Sequence, residues 1–347
     1  MIKFFRKIRQ RLLTENKFSK YLLYAIGEII LVIIGILIAL QINNRNELRK
    51  SEEQAISTLL QVHTELAENI KDIDGMFLDF LEKDTIVNNI MNNRYNPDNY
   101  MERYSYIDPL NYWSSLDIRD HSFQKMILNT NRIPEKYNEI INDLQRLYTD
   151  DKGYVQSSSE EMIEFVEDYA NWKKSNTTWY QYTYGKIKPE LTNEEIAFYF
   201  SDDSPYKNFV RHYAYRDGLL LESVTTFRYE AFQFYKKLAK TLNLSSDEIE
   251  SFSIGLTSEE IENILGTYKF EKYTIEVFIK DDKLFYQLKT KDETKDEKEM
   301  FFISKSFFVI DSKYREPFMV FRFDSNNNVL GMTIRKADYK AEGQKAK

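Results

Sequence analysis

The pattern of apolar and polar positions divides the chain into three parts. From Tyr21 to Leu40 the residues are apolar almost without a break, Glu28 being the one charge. Twenty residues at 1.5 Å each cover about 30 Å, the thickness of a bilayer's hydrocarbon core. The pattern predicts a transmembrane helix over residues 21–44, with Tyr21 and Tyr24 in the interfacial belt and Gln41, Asn43 and Asn44 ending it. Beyond Leu48 the apolar positions become periodic: Ala55, Leu59, Val62, Leu66, Ile70, Ile73, Phe77 and Phe80 follow one another at a mean spacing of about 3.6. That is an amphipathic helix, and Asn92-Asn93 with Asn96-Pro97 ends it. Pro134 suits the first turn of the next helix, whose stripe is Tyr137, Ile141, Leu144 and Tyr148. Ser159 caps a further start that runs through Phe165, Val166, Tyr169 and Trp172, and Thr192 with Glu195 forms a capping box for a short helix. Ser204-Pro205 opens the longest stripe, from Phe209 and Tyr213 through Leu220, Val224, Phe227, Ala231, Phe234 and Leu238 to Leu242.

After Thr257-Ser258-Glu259-Glu260, which caps one more helical turn, the period drops to two. Ile275, Val277 and Ile279 alternate with polar neighbours, and Asp281-Asp282 turns the chain into Leu284–Leu288. Further strands follow at 301–304, 307–311, 318–324 and 329–335, six or seven in all. The expected fold is α+β: an N-terminal transmembrane helix, an elongated antiparallel α-helical bundle, then a small antiparallel β-meander or barrel-like domain. The expected divisions are a basic cytoplasmic segment (1–20), the span (21–44), an extracytoplasmic bundle (45–250), the β-domain (256–336) and a charged tail (337–347).

Charge gives the span a direction. Residues 1–20 hold seven cations against Glu15 alone, whereas the whole chain of 347 residues carries −7. A basic flank before an apolar run stays in the cytoplasm, so everything after Asn44 is expected to be exported across a bacterial inner membrane. No small-residue pair resembling a cleavage site closes the run, which favours an uncleaved signal anchor. Gly27, Gly35 and Ala39 fall four or eight residues apart, a small-residue stripe suited to helix–helix contact. Glu28 is either a shallow residue reaching toward the interface or a functional ionisable group in the span.

The runs Lys3–Arg9, Glu15–Leu22, Tyr24–Ile29 and Ile34–Asn44 resemble a domain-of-unknown-function family of Bacteroidota single-pass membrane proteins. The likeness is specific over residues 1–50 and loose to about 245, where Asn129-Thr130-Asn131 stands in place of the family's Gly-rich turn. It implies a membrane location and a helical exported region, and no activity. Residues 256–336, through Ile264–Tyr268, Asp281–Tyr286, Phe301-Phe302 and Phe321–Asp324, resemble the small β-domain appended to serine β-lactamase-like hydrolases. In those hydrolases the appended domain lacks the catalytic serine.

The chemistry such a likeness would require is missing. Ser204-Pro205-Tyr206-Lys207 spells S-x-x-K and Tyr169-Ala170-Asn171 spells Y-x-N, but in reversed order, and no glycine follows Lys or His at the spacing of the third motif. The chain has no cysteine, and His63, His121 and His212 have no ligand spacing, so no metal or cofactor is expected. Asp324, Asn326 and Asn328 mimic a calcium loop, yet Val329 and Arg335 replace its glycine and glutamate; a hairpin turn is expected. Net negative charge argues against nucleic acid. The expected protein is not an enzyme. It contacts the lipid bilayer through residues 21–44 and binds a protein partner, a ligand or a second copy in the envelope. The alternatives are an ion-coupled transport or motor-associated subunit using Glu28, and an unrecognised envelope hydrolase.

Overall fold

The computed structural model describes residues 18–94, 110, 113, 115–128, 133–177, 180, 201, 204–248, 251–310, 318–336 and 339–346. The basic segment up to Lys17, the 96–99 helix end, Asn129–Asn131 and the Thr192–Glu195 box lie outside these residues. The chain divides into two compact units, Met1–Thr58 with Met126–Asn138, and Leu59–Lys125 with Glu139–Lys347.

The apolar run and the first amphipathic stripe form one helix, α1 (Phe18–Met91), which contributes to both units. In the first unit its polar stretch is laced by ion pairs, Arg49 with Glu53 at 3.1 Å and Lys136 with Glu52. In the second unit every stripe residue from Leu59 to Phe80 is buried. The 3.6-residue period thus reports the face that packs. α1 ends at Asn92-Asn93, as expected; Asn93 takes a left-handed φ of 51° that asparagine tolerates.

Four helices follow α1 among the described residues up to Thr241. A short α2 (His121–Ile127) starts against Glu65 of α1, whose carboxylate accepts from the Ser122 backbone N–H and hydroxyl. One turn of 3₁₀ helix (Glu135–Tyr137) after Pro134 leads into α3 (Asn138–Arg146), a π turn (Leu147–Asp151) and α4 (Lys152–Asn176) without a gap. Ser159 therefore caps nothing. It lies buried inside α4, and its hydroxyl donates back to the Val155 carbonyl at 2.9 Å. The reading of a helix start there is corrected. α5 (Tyr206–Thr241) begins at Pro205, as the Ser204-Pro205 pair predicts, and buries the expected stripe except Phe209 and the capping Leu242, which are half-buried.

The capping box of α6 (Ser258–Ile264) is present: Glu260 N–H donates to Thr257 Oγ1 at 3.2 Å, and Thr257 N–H donates to the Glu260 carboxylate at 2.9 Å. Eight antiparallel strands follow: β1 (Gly266–Lys269), β2 (Thr274–Lys280), β3 (Lys283–Lys289), β4 (Lys298–Phe302), β5 (Phe307–Ile310), β6 (Phe318–Phe323), β7 (Val329–Lys336) and β8 (Tyr339–Lys345). They form a closed barrel in sequence order. The expected charged tail at 337–347 is corrected by this topology: β8 pairs with β7 from Gly331↔Gln344 to Lys336↔Tyr339 and closes on β1 at Tyr268↔Lys345. Closure leaves no exposed sheet edge.

Alternate residues of β2, β4, β6 and β7 fill the barrel. Ile275 and Val277, Met300 and Phe302, Met319 and Phe321, and Met332 and Ile334 share one core. Phe302 and Phe321 stack at 6.2 Å, so the barrel is a packed core rather than a chalice. Asp281 and Asp282 both take positive φ, as the tight β2–β3 hairpin requires. Asp324 accepts from the N–H groups of Asn326 and Asn328 at 2.8 Å each, making the expected hairpin turn. The barrel packs on the helices within the second unit, where Phe77 meets Phe307 edge-on at 5.7 Å and Phe232 meets Phe301 at 5.3 Å.

Candidate functional site

Among the described residues, none covers the apolar half of α1. Leu31 is 64 % exposed and Leu37 58 %, and every residue from Ile29 to Gln41 is exposed. Among the described residues this is the one helix long and apolar enough to cross a membrane. Gly27, Gly35 and Ala39 all lie on its exposed surface, and nothing stands within 4 Å of where a Cβ on either glycine would be. Glu28, between them, is half-buried. Such a surface is stable only when lipid or another apolar helix covers it.

A second feature lies in the other unit, in the seam where α1 and α5 meet the barrel. A pocket of about 300 Å³ opens there. Its apolar wall is Phe80 and Leu81 of α1, Leu221 of α5 and Val320 of β6. Its polar wall brings together Asp84 of α1, Asp217 of α5, Arg322 of β6, Arg335 of β7, and Lys340 and Glu342 of β8. Most of these charges are matched. Arg335 pairs with Asp84, and Glu342 lies 3.4 Å from both Arg322 Nη1 and Lys340 Nζ. Arg322 Nη2 donates to the Gly343 carbonyl at 2.9 Å.

Two buried atoms of this wall have no hydrogen-bond partner among the described residues. Asp217, only 4 % exposed, has no hydrogen-bond partner for Oδ1, and Arg322 has none for Nε. Four buried side-chain polar atoms lack a partner among the described residues, and two of them belong to residues of this pocket. Each such orphan costs roughly 1–3 kcal/mol, so a seam carrying both is expensive to keep. Burial pushes the Asp217 carboxyl up to about 7, against the pull of Lys83 and Arg335 and with a further push from Asp84.

A neighbouring charge on the same helix is fully paired. Arg228 holds both carboxylate oxygens of Asp74, with Nη2 to Oδ2 at 3.0 Å, and burial is the main influence on Asp74, raising its pKa. Another carboxyl, Asp151 in the π turn, is raised to about 6 by burial and by Glu230, and Arg146 opposes both.

The expected span residues Gly27, Glu28, Gly35 and Ala39 fall on one stretch of α1, and none of them reaches the seam. The sequence reading overlooked Asp217, although a signal was there. It stands four residues after Tyr213 and three before Leu220, on the stripe that packs, where a carboxylate is out of place. What it faces was not readable, because Arg322 and Arg335 come more than a hundred residues later. Among the described residues no group of three His, Asp or Glu side chains is placed to hold a metal ion.

Residues 28–105 match the model of a family of unknown function (DUF6090). The matched stretch takes in Glu28, Gly35, Ala39 and the α1 side of the seam, and stops short of α5 and the barrel. No curated protein matches the chain.

Proposed function

We propose that the chain is a non-enzymatic, single-span protein of a bacterial inner membrane, held by an uncleaved signal anchor. Its N-terminus lies in the cytoplasm, and its helical and β regions lie in the periplasm, where they bind an envelope partner or ligand. The observation that carries this reading is the uncovered apolar stretch of α1 behind a strongly basic segment. The small-residue stripe at Gly27, Gly35 and Ala39 supports contact with a second span, from another copy or from a partner. The likeness to the Bacteroidota single-pass family, and of the barrel to a domain appended to β-lactamase-like hydrolases, favours an accessory role. The packed barrel interior also favours recognition at its outer seam.

A reporter active only after export tests the topology. Fused after Asp150 it is expected to be active, and fused before Lys20 inactive. The reverse pattern would overturn the exported reading. Glu28 favours a second reading, an ion-coupled transport or motor subunit, because it is the one charged residue in the apolar run.

A further inference from the structure

We infer that an open groove along α1 receives the arginine side chain of an extended segment of a partner protein. The inference deepens the binding reading above and rests on it. One wall is the ridge of α1 that runs from Lys71 through Gly75 and Asp79 to Lys83; the other is Trp113 with residues 115–117 and Arg119. The volume is about 710 Å³, within the range of ligand sites. From Lys71 to Lys83 the ridge is about 18 Å long, the reach of roughly five extended residues. A free amino acid would fill only part of that length.

The groove is rich in negative charge. Lys83 lies in the fields of Asp217, Asp79 and Glu82, and Arg119 is set against Asp72, Glu68 and Asp117. Six carboxylates thus surround two cations, with Lys71 as a third. The Arg119 guanidinium is taken up by Asp72 and by Glu68 at 3.3 Å. Asp79 and Asp117 line the groove, are exposed, and have no hydrogen bond or ion pair among the described residues. A cationic guest is what such a wall attracts.

Two further observations choose among cations. Trp113 is 45 % exposed, and its ring stacks on no other ring among the described residues. Indole offers the best aromatic face for a cation. Gly75 weakens the interior of a long helix, yet nothing among the described residues lies within 4 Å of where its Cβ would be. Packing does not demand glycine there, whereas a guest lying across α1 does, because a side chain at 75 would fill the floor. A planar guanidinium stacks on an indole face and still donates at its edges to carboxylates. A quaternary ammonium has no hydrogen to donate, and a lysine ammonium cannot stack as a plane.

The test uses the full chain in detergent and the end-blocked peptide Ala-Ala-Arg-Ala-Ala, carrying a fluorophore and read by fluorescence anisotropy. Saturable binding is expected. Replacing the peptide's arginine by citrulline, a neutral isostere, is expected to weaken binding roughly a hundredfold, and replacing it by lysine roughly tenfold. Trp113→Ala, and Asp79→Asn combined with Asp117→Asn, are each expected to weaken it about tenfold. Gly75→Leu is expected to abolish binding with the melting temperature unchanged or raised, since leucine favours an exposed helix position. That variant separates a filled floor from a damaged fold. No saturable binding, equal binding of the citrulline peptide, or full binding by Gly75→Leu would overturn the inference. Free arginine binding as tightly as the peptide would overturn the partner segment as the occupant. Each of these outcomes is distinct from failure of the membrane reading, which the export reporter alone decides.

Discussion

Asp217 shows what a single misplaced charge costs. Unfolded, its carboxyl titrates near 3.8, and folded near 7, so between those values the folded chain holds the extra proton. Its contribution to stability therefore falls as pH rises through that window, and the penalty is complete above it. Asp217→Asn, neutral at every pH, is expected to raise the melting temperature at pH 8, with the gain shrinking as pH falls toward 5. Thermal melts at both pH values check this, and an equal gain at both would mean that burial of the charge is not the cause. Arg228 is the contrasting case, because its charge is answered by both oxygens of Asp74. Removing one partner of a buried pair strands the other, so Arg228→Met is expected to cost about 3–5 kcal/mol in chemical denaturation. Asp74→Asn in the same background should recover part of that loss.

At the scale of elements, helices announced themselves through their packing stripes, and their boundaries through turn and cap chemistry. Thr257 with Glu260, Ser204-Pro205 and the Asp281-Asp282 turn were all readable, because each satisfies or redirects backbone within a few residues. Ser159 misled because a serine hydroxyl serves a cap and an i−4 carbonyl equally well. β8 was hidden for another reason. Its sequence, Tyr-Lys-Ala-Glu-Gly-Gln-Lys, carries little apolar alternation, and Gly343 is there so that β8 can pass beneath the Phe270 ring, where a Cβ would meet ring carbons at 2.5 Å. A fragment of residues 255–347 is expected to give a β-type circular dichroism spectrum with cooperative melting. One ending at Lys336 leaves the free edges of β1 and β7 exposed and should aggregate or remain unfolded. Equal melting of both fragments would show that closure by β8 adds nothing.

At the scale of the whole molecule, one helix supplies an uncovered apolar surface and, further on, a wall of the seam. The two readings of Glu28 separate here. A residue that merely reaches toward the interface can be replaced at no loss, so Glu28→Gln is expected to leave membrane abundance and partner pull-down unchanged. Gly35→Leu, which fills the small-residue face, is expected to reduce span association without touching the charge. Lost pull-down at normal abundance for Glu28→Gln would move the ion-coupled reading to first place.

Period and turn chemistry, both short-range, let the sequence by itself determine the apolar run, the packing faces of α1 and α5, the switch from helix to strand near Gly266 and most hairpins. Only the tertiary structure decided which polar groups are satisfied and which are stranded. Asp217 on a helix and Arg322 on a strand are each ordinary residues until folding brings both to the wall of one pocket. Barrel closure is of the same kind: whether a weakly patterned strand pairs depends on the two edges waiting for it, and β1 lies some seventy residues earlier in the chain. Burial and edge pairing are properties of partners distant in sequence, and no local pattern encodes them.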